Sequence, residues 1–258
     1  MMINEITILP GRDKLGVKEN FDVISLKAGE TLSIVGPTGS GKTAFITDIE
    51  LLAQRDTTSK RQVLINGKVP SDEIRYDPAL KPIAMITQNT KCFADLSAEE
   101  FLKLHARARK IVDKNIIDDT IDLANNFTGE KIKKDMRVTV LSGGQTRSLL
   151  IADAILIGAS PIILLDEIEN AGIFKQEVIE IIESTGKIVI FVTHDPTIAL
   201  LTQKRIIMEN GAVKKVLNQD EMELKVAQNL IEIDKKMGVI RENLRAGYLI
   251  TNELVNFA

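Results

Sequence analysis

Gly36-Pro37-Thr38-Gly39-Ser40-Gly41-Lys42-Thr43 is the stretch that decides the fold of this chain. It fits G-x-x-x-x-G-K-[ST], a phosphate cradle in which successive backbone N–H groups turn inward around anionic oxygens. Gly36, Gly39 and Gly41 supply backbone geometries that a Cβ would obstruct. Lys42 is placed to reach β- and γ-phosphates, and Thr43 to offer its hydroxyl to Mg2+. Just before the loop, Thr31-Leu-Ser-Ile-Val35 reads as a buried strand. Just after it, Phe45, Ile49 and Leu52 mark one face of a helix expected from about Lys42 to Ala53. The positive N-terminal end of that helix would face the phosphates. The alternative is an ordinary glycine-rich turn, but the full pattern arises by chance on the order of once per ten thousand positions.

Two later strands carry chemistry at their ends. Pro161-Ile-Ile-Leu-Leu-Asp166-Glu167 reads as a central strand of a parallel sheet with acids at its C-terminal end, where open α/β sheets bind ligands. Asp166 suits the Mg2+ shell, through water, and Glu167 could hold or deprotonate an attacking water. Two solvated acids capping a strand would be the default reading without the upstream loop. Lys187-Ile-Val-Ile-Phe-Val-Thr193-His194-Asp195 is another buried strand, ending on a histidine. His194 falls where a γ-phosphate sensor would sit, provided that this strand lies beside the one ending at Asp166. The other histidine, His105, lies in a separate helical stretch.

Leu141-Ser142-Gly143-Gly144-Gln145 is the remaining landmark. By itself it reads as a helix N-cap with a flexible lead-in, and a helix N-terminus is what should face a phosphate. Taken with the phosphate loop, Gln88, the strand Ile162 to Glu167 and His194, in that order, it resembles the ATP-binding-cassette (ABC) ATPase family over roughly residues 3–217. The resemblance implies an α/β fold: a P-loop NTPase core with an antiparallel β subdomain and an inserted α-helical subdomain at about 91–140. A C-terminal helical extension, 218–258, would follow the ATPase domain of 1–217. It also implies roles. Gly36, Pro37, Thr38, Gly39, Ser40, Gly41, Lys42, Thr43 and Gln88 would bind ATP, with Thr43, Gln88 and Asp166 serving Mg2+. Glu167 would be the catalytic base and His194 would contact the γ-phosphate. Ser142, Gly143, Gly144 and Gln145 would close over ATP held by a second ABC ATPase subunit, in a homo- or heterodimer.

Three positions depart from the family's pattern. No aromatic precedes Phe21 to stack on adenine, which leaves Leu15 or Val17 for apolar contact and ATP versus GTP open. Ile173 stands where the family commonly has an aspartate. Asp153 replaces a frequent arginine after the Ser-Gly-Gly turn.

Composition sets the remaining bounds. A chain of 258 residues is long enough for one large α/β domain and an appendage. The net charge of −3 gives no global attraction to nucleic acid, and 4% aromatics with no Trp argues against base-stacking platforms, so no nucleic-acid partner is expected. Cys92, the single cysteine, rules out an intrachain disulfide and suits a reducing cytosol. No run approaches the ~18 apolar residues of a membrane span, and the N-terminus lacks a signal-peptide layout. The expected location is cytoplasmic, peripheral to the membrane's inner face through partner subunits.

Asn66-Gly67 and Asn210-Gly211 each predict a hairpin turn, over Gln62–Val69 and Arg205–Val213. Ser97-Ala-Glu-Glu100 is a capping box opening a helix through Lys110, and a second helix is expected from Asp113 to Asn126. In the tail, Met222, Val226, Leu230, Ile233, Met237, Ile240 and Leu244 follow helical spacing, a face expected to dock on its own domain or pair with a second copy. The leading function is the ATP-hydrolysing subunit of a transporter whose transmembrane part is a separate chain. A soluble ABC ATPase that remodels a client protein or metallocofactor enzyme is the alternative. A nucleotide-binding scaffold with little turnover is disfavoured by Glu167 and His194.

Overall fold

A computed structural model describes residues 3–250 except 79, 88, 93, 159 and 169–174. Nine strands form two sheets among them. The smaller is antiparallel, in order β2-β1-β4, from Glu5–Leu9 (β1), Ile24–Lys27 (β2) and Gln62–Ile65 (β4). The larger runs β5-β6-β7-β3-β8-β9, with Thr31–Val35 (β3), Ile83–Ile86 (β5), Ile162–Asp166 (β6), Ile188–Val192 (β7), Lys204–Glu209 (β8) and Ala212–Asn218 (β9). All its pairings are parallel except β8 with β9. The strand that ends at Asp166 therefore lies beside the one that leads to His194, and both end near the loop that follows β3.

Why these strands read as unbroken apolar runs is clear from their burial. Ile162 and Leu164 of β6 enter one core, shared with β1, β4 and the helix after the phosphate loop, while Ile163 and Leu165 enter another. Successive side chains of a strand point to opposite faces, so a sheet covered on both sides needs every position apolar. The short helix Asp72–Tyr76 (α2) buries no residue, and the second core is built with Ala98–Ala108 (α3), Ile116–Asn126 (α4), Gly143–Leu156 (α5) and Lys175–Ser184 (α6). Ser97 caps α3 in the expected box, and Ile117, Ile121 and Ala124 bury the inner face of α4.

The Asn-Gly turns behave differently from each other. Asn210 and Gly211, at φ 52° and 86°, join β8 to β9 in a full hairpin. Asn66 and Gly67, at φ 50° and 70°, also turn, but only Ile65 and Lys68 pair across them. The expected hairpin through Val69 does not form. Asn66 Oδ1 instead accepts the backbone N–H groups of Asn4 and Glu5, which ties the turn to β1, and Pro70 has no N–H to continue a ladder.

Helix α1, Lys42–Glu50, is shorter than expected, because Leu52 turns to φ 49° and ends it. The tail helix α8, Glu221–Arg245, needs a larger correction. It packs on α7, Pro196–Leu201, and buries Ala227 and Ile231, which lie one residue on from the predicted seam. One residue is a rotation of about 100° around a helix. Met222, Val226, Ile233, Met237 and Leu244 are consequently exposed. Arg205 pairs with Glu223 at 2.6 Å, and the Gln219 side chain donates to the Leu200 and Leu201 carbonyls, which fixes the start of α8 against α7. The helix runs through Gly238 and stops at Gly247, whose φ of 79° makes the left-handed cap.

Candidate nucleotide site

The loop between β3 and α1 is shaped by contacts that only glycine allows. At Gly36, φ 153°, a Cβ would sit 2.5 Å from the Met208 carbonyl oxygen and 2.7 Å from Ser40 Oγ. At Gly41, φ 105°, it would sit 2.7 Å from Gly211 Cα. Gly41 also caps α1 without any side-chain hydrogen bond, so the helix opens with its N-terminal amides uncapped by protein side chains. Pro37, Thr38 and Gly39 are exposed along the rim, Ser40 is buried, and Thr43 is exposed on the first turn. Ser40 Oγ is a buried hydroxyl with no protein partner, a polar atom that a phosphate oxygen or a water would satisfy.

Lys42 is buried and lies back on the loop, its Nζ donating to the Gly36 and Pro37 carbonyls at 2.8 and 3.2 Å. Burial holds the ammonium below its ordinary range, opposed by the charges of Glu167 and then Asp166. The cation and the two strand-end carboxylates thus share one electrostatic environment. Glu167 leaves β6 with φ 51°, a left-handed conformation unusual for a non-glycine residue, while its N–H still bonds to the Val192 carbonyl at 2.9 Å. His194 Nε2 lies 3.4 Å from Glu167 Oε1. It sits between Thr193, whose N–H bonds to the Ile34 carbonyl, and Asp195, which caps α7 by accepting from Thr197 and Ile198.

Among the described residues no three His, Cys, Asp or Glu side chains gather to hold a metal. Hard oxygen donors from Thr43 and Asp166 fit Mg2+, which keeps several waters and usually binds with substrate phosphates rather than in an all-protein cage. Gln88, the third candidate, lies outside the described residues, as does Ile173.

Ser142 and Gln145 belong to the other core. Ser142 Oγ accepts from the Gln145 N–H, and Gln145 Oε1 accepts from the Ser142 N–H, a closed capping box on α5. Ser142 and Gly143 are exposed, Gly144 is half-buried, and Gln145 is buried. No described hydrogen bond or ion pair joins 142–145 to the phosphate loop of the same chain.

Several partners escaped the sequence reading. Ser142 Oγ donates to Glu130 at 2.9 Å, and Gln145 Nε2 donates to the Glu130 and Lys131 carbonyls. Lys14 Nζ donates to the Gly39 carbonyl at 2.6 Å, and the neighbouring Leu15 and Val17 are exposed. His105 Nδ1 lies 2.8 Å from Asp153 Oδ2, so the departure at Asp153 joins α3 to α5 through a hydrogen bond. Hydrogen bonding to Asp153 raises the His105 pKa above 6.5, more than burial lowers it. No local motif signals any of these, since the partners are far apart in sequence.

Known proteins share this sequence and this fold. A family model described as ABC transporter matches residues 22–170. An uncharacterised ABC transporter ATP-binding protein of Methanocaldococcus jannaschii is 49% identical, covering 98% of this chain and 97% of that protein. The thiamine import ATP-binding protein ThiQ of Brucella suis is 30% identical, over 75% of this chain and 80% of its own. Among solved structures, CbiO1 from Clostridium perfringens, part of the transporter complex CbiONQ, aligns with TM-score 0.62 at 22% identity, over 95% of this chain and 96% of that one. A dimeric ATP-binding cassette holding ADP and Pi aligns with TM-score 0.61, also at 22% identity, over 83% of this chain and 99% of that one. These last two show the fold. The chain belongs to the ABC transporter family, whose ATP-binding subunits are ATPases.

Proposed function

We propose that residues 36–43 of this chain bind Mg-ATP and that Ser142 to Gln145 of a second subunit seal the site from the opposite side. The observation that carries this reading is the convergence of Lys42, Asp166, Glu167 and His194 at the ends of β3, β6 and β7. The loop amides and the α1 N-terminus hold the phosphates, and Lys42 neutralises charge on the β- and γ-oxygens. Asp166 and Thr43, with Gln88, would hold Mg2+, which when bound neutralises charge on the phosphate oxygens. Glu167 orients a water in line with the γ-phosphorus and takes its proton as the new P–O bond forms. The bond to the bridging oxygen breaks, and ADP and phosphate leave. His194 donates to the γ-phosphate and keeps Glu167 in place, the kind of preorganised stabilisation that lowers the barrier without reorganisation.

The capped α5 presents Ser142 and Gly143 on the surface, which suits them to meet a second subunit. Its first amides are already partly satisfied by its own side chains, so it recognises phosphate only at close range, when two protomers close. Closure draws on ATP binding in trans, and hydrolysis releases it. The described residues contain no helix long and apolar enough to cross a membrane. The likeness to ATP-binding proteins of transporters, an import ATP-binding protein among them, supports delivery of this work to separate transmembrane subunits, with this chain at the cytoplasmic face. Two measurements test the reading: phosphate release by wild type and Glu167→Gln, and the partners recovered with the protein from native membranes. Loss of turnover with ATP-dependent pairing retained, together with a multispanning chain, is the expected result. Equal turnover in both proteins, or only soluble partners, would overturn it.

A further inference from the structure

Arg61 is the largest fully buried side chain in the molecule among the described residues, and its guanidinium is wholly removed from solvent. It makes a bidentate pair with Glu19, Nε to Oε2 at 2.9 Å and Nη2 to Oε1 at 2.7 Å. Nη1 donates to Asp48 Oδ2 at 2.9 Å, and Nη2 also donates to the Gly211 carbonyl at 2.7 Å. The guanidinium carbon stands 4.8 Å from the centroid of the Phe45 ring. The carboxylates are equally committed: Glu19 accepts the N–H groups of Gly11 and Val213, and Asp48 accepts from Ser59 Oγ. Removing ions from water is costly even after relaxation, so a buried cation between two acids is weak evidence for stability and asks for another reason.

That reason lies in what the cluster touches. Asp48 and Phe45 are on α1, the helix that begins at Lys42. Glu19 anchors the loop that carries Lys14, whose ammonium bonds to the Gly39 carbonyl. Gly211, held by its carbonyl to Arg61, donates its own N–H to the Ser40 carbonyl at 2.7 Å. The same β8–β9 hairpin fills the space that a Cβ would need at Gly36 and at Gly41. One planar fork thus ties helix, loop and hairpin to one another, and each of the three touches the phosphate loop.

We propose that Arg61 is a positioning residue for nucleotide binding: through Glu19, Asp48 and Gly211 it holds the loop 36–43 in its phosphate-ready shape before nucleotide arrives. It acts on the ground state, so its loss weakens binding while leaving chemistry at saturation little changed. A lysine at this position keeps the charge but cannot fork to Glu19 and Gly211 together. The proposal rests on residues 36–43 being the nucleotide site.

The test compares Arg61→Lys, Glu19→Gln and Lys42→Ala in the full chain, with a fluorescent ATP analogue for Kd and phosphate release for kcat and KM. Melting temperature is followed in parallel, at a working temperature where each variant is folded. Arg61→Lys is expected to raise Kd and KM roughly ten-fold or more, the scale of a displaced binding group, with kcat within about two-fold. Glu19→Gln, which keeps the guanidinium, moves the same way by less, and serves alone if Arg61→Lys does not fold. A lowered melting temperature with Kd and KM unchanged would leave Arg61 a purely structural brace and overturn the proposal. If Lys42→Ala leaves Kd unchanged, the reading of the loop itself has failed, and this proposal with it.

Discussion

Two helices of this protein open on glycine-rich turns, and they open in opposite ways. Helix α1 begins behind Gly41 with no side-chain cap, its amides left to the loop and whatever the loop holds. Helix α5 begins at Ser142 with a reciprocal box that uses Gln145, and Glu130 accepts the serine hydroxyl besides. Both motifs are Ser/Gly-rich and both precede a helix. The difference is in what each leaves unsatisfied. An uncapped N-terminus is a standing site for an anion, whereas a capped one is a stable surface whose hydroxyl must change partner to meet a phosphate. The first suits binding within the chain, the second recognition across an interface that opens and closes.

The hardest test of that contrast is at the strand end which serves α1. Glu167→Gln should lower turnover by roughly a hundred-fold or more, as loss of a general base does, while ATP binding and pairing persist. Phosphate release and size-exclusion chromatography with ATP would read the two effects separately. Turnover within two-fold of wild type would break the assignment of α1 and β6 to one catalytic site.

Gly41→Ala comes next. It places a Cβ against Gly211 at φ 105° and should cost roughly 1–3 kcal/mol of stability, with weakened ATP binding. Urea unfolding and nucleotide titration would measure both. Gly143→Ala, at a position where only Arg147 Nη2 at 3.8 Å would meet the new atom, should be far milder.

Ser142→Ala sharpens the comparison from the other side. Losing the cap should cost about 1 kcal/mol, and turnover of the paired protein should fall, while ATP affinity of the isolated subunit stays unchanged. A weakened affinity in the isolated subunit would mean that the motif serves its own chain's site.

The smallest expected effect is a pH dependence behind α5. The hydrogen bond to Asp153 favours the protonated form of His105, so its folded pKa lies above the ordinary 6.5. The pair's contribution is fully present below that ordinary value and is lost as pH rises through the raised one. Because His105 is partly exposed, the change is modest. His105→Asn should flatten the fall in urea midpoint between mildly acidic and mildly alkaline buffer, without changing the phosphate site.

Much of this was legible in local pattern. The loop at 36–43, the strands ending at Asp166 and Val192, and the capping box at Ser97 follow from spacing and residue type alone, because each depends on backbone geometry within a few residues. Asn210-Gly211 and Asn66-Gly67 show where that ends. The same dipeptide made a hairpin in one place and a lone turn in the other, since the Asn66 side chain is claimed by β1. The tail helix shows it again: spacing predicted a helix and an apolar seam, but α7 reaches only the start of α8 and meets it one residue round.

Residue order alone specified the glycine-rich loop at 36–43, the apolar strands around it and the family, because these are written in contiguous residues whose hydrogen bonds and periodicity are local. Only the tertiary structure decided that Glu167 meets His194, that Asp153 meets His105, and that Arg61 joins Glu19, Asp48 and Gly211. Those contacts span long loops, and a charge or hydroxyl carries no mark of its partner until apolar burial has brought the segments together.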